Sequence, residues 1–338
     1  MNSSSRSILL SALTTFSTFA YAAQDSTPSS TQQMPSQYHG DITPLAGPIV
    51  REWAGLYVSA DFIYWQMRED GLEYAHDGVT TSGATASKQG GYKNFDFAYE
   101  PGFKVGLGTN FRHDGWDLFL NYTWFENSRT AHASVHSSRG VLDVIEYDGT
   151  FPDSSIKAEA HWHLLFNVVD FELGRNFYIS QHLAVRPFIG LKASWMSQRL
   201  NVNNYPQSGG EHLLKQKQHF WGGGLRGGAI TDWHFTRNWS LYGNLALAEL
   251  YSLFQDKLHG VQAFQKRIFH TIVPVLEMGL GVRYETFFSQ DRYQLFAQLG
   301  WEQQVWWGQN QFILTDAPNM SSNNLVLQGL DLKFGFNF

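Results

Sequence analysis

Thirteen ionisable side chains recur at alternate positions within segments rich in apolar residues: Glu100, Lys104, Lys157, Glu159, His161, His163, Arg186, Lys192, Arg226, Glu277, Arg283, Glu302 and Lys333. A period of two puts successive side chains on opposite faces of a strand. These residues therefore read as the polar, inward face of their strands, with Asp331 beside Lys333. Such a face has two uses in a closed sheet. It could line a wet path and bias ion passage through rings of charge. It could also pair across a filled interior, because a barrel of about eight to ten strands is narrow enough for side chains to plug. His161 and His163 lie two apart, and with Glu159 they have the donor types that hold a metal. No fourth ligand is assignable, and polar lining is the commoner use of such residues, so the expectation is no metal and no cofactor. Catalysis has no motif behind it. There is no G-x-S-x-G, P-loop lysine or H-E-x-x-H, and the run WGGGLRGG lacks the Lys-Ser/Thr ending of a phosphate loop.

Strands must position these residues. The closing NLVLQGLDLKFGFNF alternates Phe338, Phe336, Phe334, Leu332 and Leu330 with Asn337, Gly335, Lys333 and Asp331. The same rhythm runs from Leu56 to Tyr64, Phe97 to Phe111, Trp116 to Trp124, Val185 to Trp195, Ile272 to Tyr284 and Tyr293 to Trp301. From Ile156 it sets Ala158, Ala160, Trp162, Leu164, Phe166 and Val168 on the oily side, against Lys157, Glu159, His161 and His163. About ten strands result. Polar stretches near 68–93, 127–155, 198–216, 253–269 and 304–323 alternate with tight turns such as RHDG and SQDR. An even strand number, long loops at one end and short turns at the other are the pattern of an outer-membrane barrel. The fold class expected is all-β, a transmembrane antiparallel β-barrel of about ten strands with long extracellular loops and short periplasmic turns. Trp53, Trp65, Trp116, Trp124, Trp195, Trp239, Trp301, Trp306 and Trp307 fall near strand ends, where interfacial girdles belong.

Composition agrees. The 338 residues are 16% aromatic and 16% charged, with mean hydropathy −0.29. That mixture suits a sheet with one oily and one polar face. A net charge of −6 excludes the basic footprint a nucleic-acid binder needs. The absence of cysteine excludes thiolate chemistry and disulfides. Arg6, the apolar stretch Ile8 to Phe19 and the Ala20-Tyr21-Ala22 cleavage pattern read as a signal peptide over 1–22. Residues 23–52, rich in Ser, Thr, Gln and Pro, read as a flexible periplasmic tail, and 53–338 as the barrel.

The stretches VVDFELGRNFYISQHLAVRPFIGLKASW, FWGGGLRGGAITDWHFTRNWSLYGNLALAELY, YQLFAQLGWEQQVWWGQNQF and the closing LVLQGLDLKFGFNF resemble the Legionella-type pore-forming major outer membrane protein family, which also occurs in environmental chlamydiae. The resemblance spans about 53–338 and is strongest in the second half. It implies an outer-membrane porin passing small hydrophilic solutes and ions, with no active-site residues to carry over. Phe334, Phe336 and the terminal Phe338 resemble the signal read by barrel-assembly machinery. Outer-membrane lipid or lipopolysaccharide, that machinery and small solutes are the expected partners, and a homo-oligomer is compatible. The alternative expectation is a structural or adhesive surface barrel with an occluded lumen.

Overall fold

A computed structural model describes residues 55–79, 91–111, 115–135, 140–144, 155–180, 182–206, 209–260, 264–289, 293–312 and 323–338. The signal and tail assignments lie outside these residues, as do Trp53 and most of the RHDG and SQDR turns. Fourteen strands are present among them: β1 (Leu56–Glu69), β2 (Ala75–Val79), β3 (Tyr92–Lys93), β4 (Tyr99–Asn110), β5 (Trp116–Ser134), β6 (Gly140–Val144), β7 (Ser155–Arg175), β8 (Phe177–Tyr178), β9 (Leu183–Pro206), β10 (His212–His234), β11 (Trp239–His259), β12 (Phe264–Phe288), β13 (Tyr293–Asn310) and β14 (Asn323–Asn337).

Ten of them close a barrel in the order β1-β4-β5-β7-β9-β10-β11-β12-β13-β14, every pair antiparallel, with β14 returning to β1. The seam runs from Tyr57↔Asn337 to Glu69↔Leu325. Closure leaves no unpaired edge, as hydrocarbon requires. The short β2, β3 and β6 extend the wall beside β7, and β8 pairs with the start of β9.

The strands are longer than a bilayer needs. A crossing takes about 9–11 residues, yet β9 has 24, β10 has 23 and β12 has 25. The surplus all lies at the long-loop end, so the stretches 198–216 and 253–269, expected as loops, are mostly strand. Likewise β5 runs to Ser134 through the stretch expected as a loop from 127.

The outward face defines the membrane band. On β10 it runs from Trp221 through Leu225 and Ala229 to Trp233, and on β9 Trp195 stands directly opposite Trp221. Trp116, Trp239 and Trp301 are likewise exposed on this face. Above Trp221 the outward residues of β10 become His219, Lys217 and Lys215. Glu249 is the one carboxylate the described residues place on the outward face of β9–β12 within the band. Trp65 and Trp306, expected in the girdle, instead point inward and are fully buried.

Candidate functional site

The inside of the barrel has two layers. At the short-turn end lies a cavity of about 770 Å³ that reaches the rim at His182, Phe235 and Arg237. Nine carboxylates and six Lys or Arg side chains line it. Its ceiling is a network of ion pairs. Lys192 stands opposite Asp170 on the neighbouring strand and binds it at 2.7 Å, while also reaching Glu277 at 2.6 Å. Arg226 clamps Glu277 at 2.6 Å and Glu172 at 2.5 Å. Arg186 joins Glu172 at 2.9 Å to Asp117. On the other wall Lys104 bonds Glu302 and, at 3.2 Å, Asp331. Lys333 approaches Asp61 at 3.5 Å, and Arg283 meets Asp232 at 3.0 Å. In a low-dielectric interior such charges persist because each is paired.

Small residues make the long reaches possible. Gly190 sits between Glu172 and Arg226 in a cross-strand row. Without a side chain at Gly190, the guanidinium reaches across β9 to its partner on β7. A Cβ there would collide with the carbonyl oxygen of Phe171. Gly108 and Gly106 instead make way for the rings of Tyr57 and Phe119, which stack at 5.5 Å. The inward glycines thus admit other side chains as well as close backbone approach.

Above the ionic ceiling the lumen turns apolar. Trp65 packs on Phe125 at 5.7 Å, and Phe166 packs on Trp306 at 5.5 Å. Trp306 meets Phe220 at 6.5 Å, and Phe220 meets Phe254 at 5.0 Å. These rings come from β1, β5, β7, β13, β10 and β11, so the chain of contacts crosses the barrel. Trp65, Trp162 and Trp306 are 0% exposed, and none of the rings in the chain lines the cavity. Each aromatic pair adds about 0.5–1.5 kcal/mol beyond the area it buries. Lys104 and Lys192 lie against the underside of this plug, 5.0 Å from the Trp65 ring and 5.7 Å from Trp306.

Residues 309–312 close the top. Gln309, Asn310, Gln311 and Phe312 are buried. Gln218 donates to the Gln309 carbonyl at 2.7 Å and accepts from the Gln311 amide at 2.8 Å, and Arg267 donates to the Gln311 carbonyl. Glu69, beyond the membrane band, accepts from Gln198 at 2.8 Å. Burial pushes its carboxyl up to about 8 against that hydrogen bond, with Asp70 adding to the rise.

The structure brings together Lys104, Arg186, Lys192, Arg226, Glu277, Arg283, Glu302 and Lys333 on the inner wall, as their spacing implied. Glu100 also turns inward, higher up, and binds Arg129 at 2.6 Å. Four residues are corrected. Lys157, Glu159, His161 and His163 stand on the outer wall, beyond the band, while Ala158, Ala160, Trp162, Leu164 and Phe166 face the plug. Their partners are local: Lys157 to Glu159 at 2.5 Å, His163 to Glu126 at 2.8 Å and His161 to Thr130 at 3.0 Å. The oily face of β7 meets lipid only from Leu165 downward. Farther up the outer wall meets water and the lumen is dry, so the same parity points inward. That inversion also hid Asp170 and Glu172, which continue the Trp162–Leu164–Phe166–Val168 set. Asp61, Asp117, Asp232 and Glu285 were also absent from the expected inward set. Parity with a neighbouring inward cation was the signal available for them. Among the described residues no group of three or more His, Asp or Glu could hold a metal ion.

The sequence profile of the Legionella pneumophila major outer membrane protein precursor matches residues 50–338. The chain belongs to that family. It is therefore an outer-membrane β-barrel. By the rule for such barrels, the short turns and the charged chamber face the periplasm and the plug faces outward. No curated protein matches the sequence. Among solved structures, the outer membrane protease OmpT of Escherichia coli is similar at 10% identity and TM-score 0.48, over 84% of this chain and 96% of that one. Ail, the attachment invasion locus protein of Yersinia pestis, is similar at 11% and 0.23, over 85% and 100%. The Pseudomonas putida toluene transporter TodX is similar at 7% and 0.28, over 85% and 90%. These likenesses are too distant to bear on activity.

Proposed function

We propose that the protein is a surface-exposed outer-membrane barrel with a closed lumen and a structural or adhesive role. The plug supports this reading: Trp65, Phe166 and Trp306 are fully buried and pack on one another across the lumen. Catalysis has no part in it. Export by the signal over 1–22 and assembly through Phe334, Phe336 and Phe338 belong to the same reading; Phe334 and Phe336 lie on the outward parity of β14, and Phe338 follows its end, exposed. The test is recording in planar bilayers with pure refolded protein. No discrete conductance steps are expected, and regular steps would overturn the closed reading. Shortening residues 145–154, which leaves β6 in place, is expected to weaken attachment to host cells while leaving folding intact. Unchanged attachment would remove the adhesive role.

A second reading, gated diffusion of small hydrophilic solutes and ions, is favoured by the chamber. A 770 Å³ polar cavity with more acids than bases suits passing cations once the plug is displaced. Wild-type conductance steps, preferring cations, would favour this reading.

A further inference from the structure

A row of cations crosses the outer wall just beyond the membrane band. Arg199 on β9 stands directly opposite Lys217 on β10, Lys217 opposite Lys257 on β11, and Lys257 opposite Lys266 on β12. All four are exposed. Directly opposed cross-strand side chains lie about 5 Å apart at Cβ, and like charges so placed destabilise a sheet. The row extends about 14 Å across four strands. Lys215 and His259 form an opposed pair two residues farther out.

Among the described outward residues of β9–β12 beyond Trp195 and Trp221 there is no carboxylate. The same fold pairs outward charges elsewhere. On β5 and β7, His163 meets Glu126 and Lys157 meets Glu159. The field is felt locally: burial, then Lys257, Arg199 and Lys217, hold the His219 imidazole below its ordinary value. Four matched cations with no carboxylate among the described outward residues around them call for an anion from outside the protein.

Position selects the anion. Lys217 and Arg199 lie four residues above the Trp221–Trp195 pair. That is about 10 Å along a tilted strand, within the headgroup layer for side chains that reach downward along apolar stems. Ile268, exposed on the intervening row, offers apolar surface beside the charges.

We propose that Arg199, Lys217, Lys257 and Lys266 form a binding site for the phosphate groups of an outer-leaflet glycolipid, lipopolysaccharide in this membrane. The 14 Å row has room for more than one phosphate. Bound lipid relieves the repulsion along the row and fixes one sector of the barrel in its surroundings.

The test uses the refolded full-length barrel in neutral detergent, with purified lipopolysaccharide as probe and binding read by thermal shift and native mass spectrometry. R199Q/K217Q/K257Q/K266Q is expected to weaken binding on the order of several hundredfold, roughly fivefold per cation. Without lipid it is expected to be at least as stable as wild type, because repulsion is gone. An outer-wall control, K157Q, is expected to bind as wild type does. Enzymatically dephosphorylated lipopolysaccharide is expected to lose the wild-type affinity. Equal binding by the quadruple variant, or by dephosphorylated lipid, would overturn the site. Inorganic phosphate competing at the same concentration as lipid would reassign the row to free phosphate and overturn the lipid claim. Should the quadruple variant not refold, the four single Gln variants are each expected to weaken binding roughly fivefold, and four unchanged affinities would overturn the site.

Discussion

The two ends of one strand, β7, obey opposite rules. Toward the periplasm, Asp170 and Glu172 face the lumen, while Val169, Phe171 and Leu173 face lipid. Toward the outside, Trp162, Leu164 and Phe166 face the lumen, while His161 and His163 face water. No bulge separates the halves, whose register with β9 is continuous from Lys157 to Gly174. The backbone keeps one geometry and the surroundings decide which face is greasy. The outer half is built like a soluble barrel with a packed core, and the membrane half is its inverse.

Breaking the plug is the sharpest way to test that contrast. Trp306→Ala with Phe166→Ala removes two facing rings, each costing about 3–5 kcal/mol by lost transfer and cavity. Unfolding midpoints in urea are expected to drop strongly. Discrete, cation-preferring conductance is expected where wild type shows none. A stable variant without conductance would mean that residues 309–312 seal the lumen unaided.

Next in size is the carboxyl buried in the outer half. The unfolded chain ionises Glu69 near pH 4.5 and the folded chain near pH 8. Between these values the folded state holds the extra proton, so stability falls as pH rises, with no penalty below the lower value and the full penalty above the upper. Glu69→Gln keeps the volume and stays neutral. It is expected to match wild type below pH 4.5 and to exceed it by about 4–5 kcal/mol above pH 8, at roughly 1.4 kcal/mol per pH unit. Parallel stability curves across that window would show that Glu69 is solvated.

The membrane half answers to a different substitution. Arg226→Met strands Glu172 and Glu277 without their shared guanidinium, a loss of about 3–5 kcal/mol for a broken buried pair. Adding Glu172→Gln and Glu277→Gln is expected to restore most of it, because the penalty lies in buried carboxylates left outnumbering the remaining cations, Arg186 and Lys192. Recovery is read as the urea midpoint of the triple variant against the single one.

How far the sequence reveals this molecule follows from the same contrast. The ten barrel strands, their antiparallel order and the inward set Lys104, Arg186, Lys192, Arg226, Glu277 and Arg283 could be read from alternation, because one rule holds across the membrane band. The assignment failed where the strands outrun the bilayer. Alternation survives the crossing at Leu165 unchanged, so nothing local marks where lipid gives way to water. Long-range contact supplies the missing information: Trp65 and Trp306 look like girdle residues until their rings meet Phe166 across the barrel. Polar outward residues such as Lys215, Lys217 and His219 above Trp221 were the available hint. Lys215 lies in the hydrophilic stretch 198–216, whose composition alone reads as loop.

The smallest expected effect isolates the boundary itself. Leu245 faces lipid within the band, and His161 faces outward beyond it. A lysine on the lipid face costs about 2–4 kcal/mol at the midplane and falls toward zero at the interface. Leu245→Lys is therefore expected to lower stability in liposomes by that amount. His161→Lys, also outward, is expected to change it by less than about 0.5 kcal/mol, as surface substitutions do. The pair differs in what surrounds the side chain, not in strand type or parity. Equal losses at both sites would place the outer half of β7 within the bilayer and remove the distinction between the two halves. A lysine scan down the outward face of β11, from Gln255 to Leu241, then locates the transition. The loss is expected to set in between Leu253 and Leu247, below the level of Trp221, which stands opposite Leu253.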